Sequence, residues 1–174
     1  MNRAIDIAKW FVLTTNTEKK INQPSNSNYE IYEGITHLKL QKLLYFSQGV
    51  SLAEFDRPLF NDNIEAWSYG PVIKSVYEEF KKYGRNFIEL TMSENEAKDI
   101  LYKVSSGYMA KDILDFVYEN YAGYTAWKLV EITHQKGSPW YVTWMKNKGE
   151  IGTIDNSIIK EYFKKEILDE KETD

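Results

Sequence analysis

Apolar residues recur at helical spacing along most of the chain. They predict a first amphipathic helix over residues 3–14. The stretch THLKLQKLLYFSQGVSLAEF, residues 36–55, predicts a second helix whose N-cap is Thr36. At 100° per residue, its apolar side chains form two stripes on opposite sides. We therefore expect this helix to pack against neighbours on both sides and to form the centre of a helical bundle.

Caps and apolar faces predict the later helices. Gly70-Pro71 is expected to start a helix that Gly84 ends, because proline is tolerated at the first helical position. Ser93 and Glu96 form a capping box that opens the next helix. Four more helices are predicted, the first marked by apolar residues 113–121, the second capped by Thr125, the third started by Ser138-Pro139 and the last over 156–168.

Three segments break the helical pattern. Residues 16–34 are polar and rich in Asn and Ser, which predicts a long surface loop and a candidate for mobility. Turn residues around 59–67 predict a minor short β-hairpin, and the NFIEL stretch after it predicts another short strand. The charged tail, 169–174, is expected to fray. Residues 1–174 are thus predicted to form one mainly α domain of about eight helices around the central helix 37–55.

Composition is consistent with such a domain and excludes several kinds of chemistry. The 174 residues are 43% hydrophobic, with 13 Tyr and 5 Trp, and the formal net charge is -4. The chain has no cysteine, which excludes disulfides and thiolate catalysis. Its N-terminus resembles neither a signal peptide nor a membrane span. We expect a cytoplasmic protein with no membrane association.

No catalytic or metal-binding motif is present, so we expect no enzymatic activity, metal or cofactor. The chain has two histidines. His134 lies near the end of a predicted helix, where a ring nitrogen can bond to the last carbonyls, and this cap role is favoured over general-base catalysis. His37 is expected to be an exposed surface residue. The helical carboxylates are expected to be solvated and paired with nearby lysines.

Lys39, Gln41 and Lys42 fall between the two apolar stripes of the central helix. Their methylenes could lie along the core while their polar ends reach water or a backbone carbonyl. Alternatively, Lys42 is held near the core and paired with a carboxylate or with carbonyls at a helix end. Both alternatives give the group a structural role.

A local basic strip raises the question of nucleic-acid binding. It comprises Lys74, Lys81, Lys82 and Arg85. Glu78 and Glu79 interrupt it, and the chain as a whole is acidic. We therefore do not expect a nucleic acid to be the partner.

Three stretches taken together resemble a known family. They are ITHLKLQKLLYFSQG, RPLFNDNIEAWSYGPVIKSVYEEFKKYG and AWKLVEITHQKGSPW. As a set they are similar to the Panacea domain, the SocA-like, phage-associated family often found as the antitoxin half of toxin–antitoxin pairs. The resemblance spans about residues 3–163. Two features depart from the family pattern: His37 replaces a proline or another residue, and the 16–34 segment is longer than usual.

The resemblance implies a helical domain that neutralises a cognate toxin, usually encoded next to it, by direct protein–protein binding. The alternatives are a proteolytic adaptor that delivers the toxin to a AAA+ protease and a DNA-binding regulator. The oligomeric state is left open. The residues that match the family pattern are interpreted mainly as scaffold, with Trp67 and Trp140 anchoring the hairpin and a short helix onto the central helix. The scaffold residues are Leu40, Gln41, Lys42, Leu43, Tyr45, Trp67, Gly70, Pro71, His134, Pro139 and Trp140, and Val72 and Tyr77 also match the family pattern. The residues predicted to bind the partner are Tyr29, Tyr32, Tyr69, Lys74, Tyr77 and Tyr141.

Overall fold

The computed structural model describes residues 2–21 and 34–171. These residues form a mainly α structure with a small antiparallel sheet, as predicted. The described helices and strands are α1 (Ala4–Ile21), α2 (His37–Phe55), β1 (Ile64–Trp67), β2 (Gly70–Ile73), α3 (Lys74–Phe80) followed by a 3₁₀ turn (Lys81–Tyr83), α4 (Glu94–Ser105), α5 (Ala110–Tyr121), α6 (Ala126–Thr133), α7 (Pro139–Lys146), β3 (Gly152–Thr153) and α8 (Asn156–Lys171). The prediction of about eight helices is confirmed within these ranges.

Helix α2 lies at the centre of the fold. It contacts α1, α3, α5, α6, α8 and strand β2, and every residue from Leu40 to Leu52 is buried. The hydroxyl of Thr36 accepts a hydrogen bond from the backbone N–H of Lys39 at 3.3 Å, so the predicted N-cap is confirmed. The predicted position of this helix inside the bundle is therefore confirmed, and its polar residues are buried together with its apolar ones.

The β-hairpin lies further along the chain than predicted. Strands β1 and β2 pair antiparallel with Trp67 opposite Gly70, and β3 pairs with the other edge of β1. Gly70-Pro71 therefore begins a strand, and the prediction that it starts a helix is wrong. Gly70 has a φ of 102°, which closes the turn, and Pro71 lies on the edge strand β2, where a missing N–H is tolerated. Helix α3 begins after this strand, at Lys74.

Most predicted caps are confirmed, and several boundaries move. The Ser93–Glu96 capping box, the Thr125 cap and the start of α7 at Ser138-Pro139 are all present. Helix α1 continues to Ile21, so the first part of the predicted 16–34 loop is helical. Likewise α8 continues to Lys171 and includes the start of the predicted tail. Residues 22–33 and 172–174, which hold the rest of both predicted segments, lie outside the described residues.

The NFIEL stretch forms a single bridge in place of the predicted strand. Phe87 pairs with Thr36 in an isolated antiparallel bridge, and the backbone N–H of Ile88 donates to the carbonyl of Ile35. This pairing holds the segment after α3 against the start of α2. Within residues 2–21 and 34–171, no helix is both long enough and apolar enough to cross a bilayer.

Candidate partner-binding surface

Gln41 and Lys42 of α2 hold the backbone of strand β2. The Oε1 of Gln41 accepts the N–H of Ile73 at 2.8 Å, and its Nε2 donates to the carbonyl of the same residue at 3.3 Å. The Nζ of Lys42 donates to the carbonyl of Pro71 at 3.1 Å. Because both side chains are buried, these bonds form away from water and fix β2 against the central helix.

The C-terminal half of α2 holds a second backbone segment in the same way. The Oε1 of Gln48 accepts the N–H groups of Leu59 and Phe60 at 2.8 and 3.2 Å, and its Nε2 donates to the Phe60 carbonyl at 3.1 Å. The hydroxyl of Ser51 donates to the Arg57 carbonyl at 2.7 Å. The polar residues of the central helix therefore satisfy the hydrogen bonds of irregular backbone that packs on the core.

Lys42 is held in the core and paired with a backbone carbonyl, as the second of the two alternatives predicted, with one difference. Its side chain is fully buried, and the carbonyl that pairs with it belongs to a strand and not to a helix end. Burial lowers the pKa of Lys42 to about 7. His37, predicted to be exposed, is half-buried. Its ring packs against Tyr77 and lies 3.4 Å from the amide nitrogen of Gln41, and burial lowers the pKa of His37 as well.

Gly70 is required where the hairpin turn meets α2 and α6. A Cβ at this position would lie 2.9 Å from the Cε and Nζ of Lys42 and 2.9 Å from the Oγ1 of Thr133. Its φ of 102° also belongs to the region that favours glycine. The turn can therefore approach the buried lysine closely only because residue 70 has no side chain.

The segment between α6 and α7 holds the other side of the hairpin turn. His134 is the C-cap of α6, and its Nδ1 lies 2.8 Å from the Val130 carbonyl, so the predicted cap role is confirmed. The hydroxyl of buried Ser138 donates to the carbonyl of Thr133 at 2.7 Å. The Nε1 of Trp140 donates to the carbonyl of Trp67 at 2.8 Å. The end of β1 is thereby tied to α7.

Two effects oppose each other in setting the pKa of His134. Burial lowers the pKa, the positive charge of Lys42 lowers it further, and backbone hydrogen bonds at Val130 and Ser68 raise it, with a net decrease. The ring also packs edge-on against Trp140, with 3.7 Å between the ring centroids. His134 is thus occupied by packing and capping contacts.

These contacts place two exposed aromatic side chains side by side. Tyr69, in the hairpin turn, is 60% exposed, and Trp127, in the first turn of α6, is 64% exposed. Their rings meet edge to face, with centroids 5.9 Å apart. They form part of a groove of about 430 Å³, which we call the Tyr69–Trp127 groove. Its described lining residues are Thr36, Leu38, Tyr69, Gly84, Arg85, Ala126 and Trp127.

Of the six residues predicted to bind the partner, Tyr69 lines this groove. Tyr77 is half-buried, with its ring against Trp67 and His37. Tyr141 is half-buried against the core, and Lys74 is exposed at the start of α3. The remaining two, Tyr29 and Tyr32, lie outside the described residues. One of the six therefore lies in the groove, and the role of all six in binding stays a prediction.

Sequence reasoning did not identify Trp127 as a surface residue. Helical spacing puts Trp127 on one face with Val130 and His134, both of which are more buried than Trp127. A signal was available, because Cα–Cβ bonds tilt toward the helix N-terminus and a large residue in the first turn extends past the end of the helix. Leu38 belongs by its spacing to one of the two apolar stripes of α2, and Arg85 was assigned to the basic strip.

The basic strip is divided in the structure. Lys81 forms an ion pair with Glu78, and Lys82 lies over the Tyr83 ring with its Nζ 5.3 Å from the centroid. Arg85 lies beyond the 3₁₀ turn and lines the groove. These residues do not present one continuous cationic face.

Comparison with known proteins gives two matches. The family described as "Antitoxin SocA-like, Panacea domain" matches residues 40–141, which is more than half of the chain. The Antitoxin SocA of Caulobacter vibrioides (strain NA1000 / CB15N) is 35% identical over 111 residues. The aligned region covers 62% of this chain and 59% of that relative, so the match spans about three fifths of the relative's length. No solved structure matches.

The family match contains the contacts described above. Gln41, Lys42, the hairpin and the segment from Thr133 to Trp140 all lie within residues 40–141. The chain belongs to the SocA-like antitoxin family with a Panacea domain.

Proposed function

We propose that this protein is an antitoxin that neutralises a cognate protein toxin by direct contact, and that the Tyr69–Trp127 groove is part of the contact surface. Membership of the SocA-like family supports the antitoxin role, and the relative named Antitoxin SocA supports it further. The observation that carries the surface assignment is the exposed edge-to-face pair of Tyr69 and Trp127 beside Arg85. Tyr, Trp and Arg are the residues most enriched at the energetic centres of protein interfaces.

The rigidity of the support favours binding at this groove. Tyr69 lies in a two-residue turn whose flanking strand residues are bonded to Lys42 and Trp140. A partner that inserts a side chain beside Tyr69 and Trp127 therefore meets rings that are already ordered, which reduces the entropy lost on association.

The described chemistry favours binding over catalysis. The ring of His134 caps a helix and packs on Trp140, and that of His37 packs on Tyr77. Neither histidine is hydrogen-bonded to a carboxylate in the described residues, an arrangement that would orient and activate a general base. We accordingly propose a non-enzymatic role.

Co-expression with the product of the adjacent open reading frame tests the proposal. Induction of that product alone should stop growth, and co-induction of this protein should restore it. Trp127→Ala and Tyr69→Ala should each reduce protection, because truncation of an aromatic at the energetic centre of an interface costs about 2 kcal/mol or more in binding, or roughly 30-fold in affinity. Tyr102→Ala is the matched control, since Tyr102 lies on α4 and is 78% exposed.

Several outcomes would contradict the proposal. A harmless neighbouring product, or equal lethality with and without this protein, would reject the antitoxin role for this pair. Full protection by both Trp127→Ala and Tyr69→Ala, at wild-type abundance, would show that the groove is not part of the contact surface. The toxin half-life should be unchanged by co-induction, because blocking does not require degradation. A half-life that falls and recovers in a protease-deficient strain would instead indicate delivery to a protease.

A further inference from the structure

One arginine lines the Tyr69–Trp127 groove of this acidic protein. Arg85 is the single charged residue among its described lining residues, whereas the chain has a formal net charge of -4. The described residues form seven ion pairs, and none of them includes Arg85. Its guanidinium is therefore available for a carboxylate from another molecule.

Two helix N-termini add to the positive charge of Arg85. Thr36 is the N-cap of α2 and Ala126 is the first residue of α6, and both line the groove. The N-terminal end of a helix carries a partial positive charge. The capping hydroxyls of Thr36 and Thr125 are engaged with the N–H groups of Lys39 and Lys128, so the helix ends are ordered.

The rest of the groove is apolar. Leu38, Ala126 and the rings of Tyr69 and Trp127 form its walls. The groove volume of about 430 Å³ lies within the range of ligand-binding pockets in proteins. An occupant that fits both features carries an apolar side chain for the aromatic walls and a carboxylate within reach of Arg85.

We infer that the groove recognises a short segment of the partner protein in which an aromatic or large aliphatic residue lies next to Asp or Glu. The apolar side chain packs against the exposed faces of the Tyr69 and Trp127 rings, which already contact each other, and the carboxylate pairs with Arg85. That the partner is a toxin rests on the proposed function, whereas the chemistry of the recognised segment can be tested without the toxin.

A phage-displayed library of random peptides provides that test. Panned on the purified full chain, the library should yield peptides that place Asp or Glu within a few residues of Trp, Phe, Tyr or Leu. Arg85→Glu should weaken their binding by about tenfold or more, since a hydrogen bond to a charged group contributes on that scale. Arg57→Glu is the control, because Arg57 is an exposed arginine that stacks on Tyr108 outside this groove.

The cognate pair provides a second test by charge exchange. Arg85→Glu should reduce protection, and a toxin that carries Lys at one Asp or Glu position should escape the wild type yet be neutralised by Arg85→Glu. Selected peptides that lack acidic residues, no enrichment at all, or peptide binding unaffected by Arg85→Glu would each overturn the inference. Peptides that bind as expected to a protein that protects no cell would leave the inference standing and reject the proposed function.

A peptide competitor distinguishes binding of a partner segment in the groove from binding of a segment of the same chain. The chain's own NYEIYE sequence, residues 28–33, also combines aromatic and acidic side chains. If a peptide of that sequence displaces the selected peptides, and the substitutions Glu30→Lys and Glu33→Lys in the full chain strengthen their binding, the groove binds a segment of the same chain. That result would overturn recognition of a partner segment.

Discussion

Replacement of Lys42 by Met is expected to change how the free energy of unfolding depends on pH. Lys42 is fully buried, and its amine donates to the carbonyl of Pro71 in surroundings that lower its pKa to about 7. In the unfolded chain the pKa returns to 10.5. Between pH 7 and 10.5 the unfolded chain binds more protons at this site, so wild-type stability rises with pH across that window. Below pH 7 both states are protonated and the contribution becomes constant.

The two pKa values set the size of the effect. At 1.36 kcal/mol per pH unit, burial of the amine costs about 4 kcal/mol at pH 7 and about 1 kcal/mol at pH 10. Met is close to lysine in shape without the charge, but it leaves the Pro71 carbonyl without its donor, which costs about 1–3 kcal/mol. Lys42→Met should therefore be more stable than the wild type by about 1–3 kcal/mol at pH 7 and no more stable at pH 10.

Urea denaturation from pH 7 to 10, followed by circular dichroism, measures both free energies. The difference between Lys42→Met and the wild type should change by about 3 kcal/mol across that range. Lys98→Met is the control, because Lys98 is an exposed helix residue paired with Glu94. Its difference from the wild type should remain within about 0.5 kcal/mol at every pH.

A difference between Lys42→Met and the wild type that does not vary with pH would refute this reasoning. It would mean that the Lys42 amine stays charged in the folded protein up to pH 10. A charged amine needs solvation, so that result would contradict the full burial of Lys42. A loss of several kcal/mol at pH 7 would likewise show that the bond to Pro71 outweighs the cost of burial.

Three further substitutions test the packing around the central helix by urea denaturation. Gly49→Ala should lower the free energy of unfolding by about 2 kcal/mol or more, because its new Cβ would lie 2.5 Å from the ring of Phe163. Gly123→Ala is the control, because its Cβ would meet no atom within 4 Å and should cost no stability. Equal effects of the two substitutions would contradict the packing of Gly49 against Phe163. Tyr45→Phe should gain about 1 kcal/mol, because the Tyr45 hydroxyl is buried and makes no hydrogen bond to any described residue, and a loss would reveal a hidden partner. Gly70→Ala should lose about 2–4 kcal/mol from its positive φ and the contact with the buried amine, and a neutral effect would exclude that conformation.

Local signals in the sequence predicted the helices and their caps well. Thr36, Ser93 and Thr125 were assigned as N-caps and Ser138-Pro139 as a helix start, and all four side-chain hydroxyls accept a backbone N–H of the first turn. Capping depends on a few neighbouring residues and on short-range geometry, so it is visible in a single sequence. The burial of α2 was visible as well, because apolar residues on two opposite sides leave no face for solvent.

The hairpin could not be placed because two local rules competed at Gly70-Pro71. Proline after glycine is typical of a helix start, and it also suits an edge strand after a tight turn. The outcome depends on Gln41 and Lys42, which lie about thirty residues earlier and bond to the backbone of β2. Such long-range hydrogen bonds leave no periodic signal in the strand itself.

The groove was harder to predict than the fold because it is formed by single residues from separate elements. Leu38 comes from α2, Tyr69 from the hairpin turn and Trp127 from α6. Each has an ordinary role in its own segment, and only the packing of α6 against β2 and α2 brings the three together. Tyr69 was predicted to bind the partner, whereas the spacing of Leu38 and Trp127 assigned them to apolar faces of their helices.

The residues that resemble the family motif and the residues of the groove have different physical roles, and that difference makes the proposals separable. Lys42, Gly70 and Trp140 form the buried support of the hairpin turn, which we call the joint. Lys42 bonds to Pro71, Trp140 bonds to Trp67, and Gly70 lies against Lys42, so substitutions of these residues should alter stability and partner binding together. Tyr69 and Trp127 are supported by that joint but are mostly exposed, so their truncation should alter binding with little effect on stability. A variant that loses protection at unchanged stability therefore maps contact with the partner, and one that loses both maps the joint.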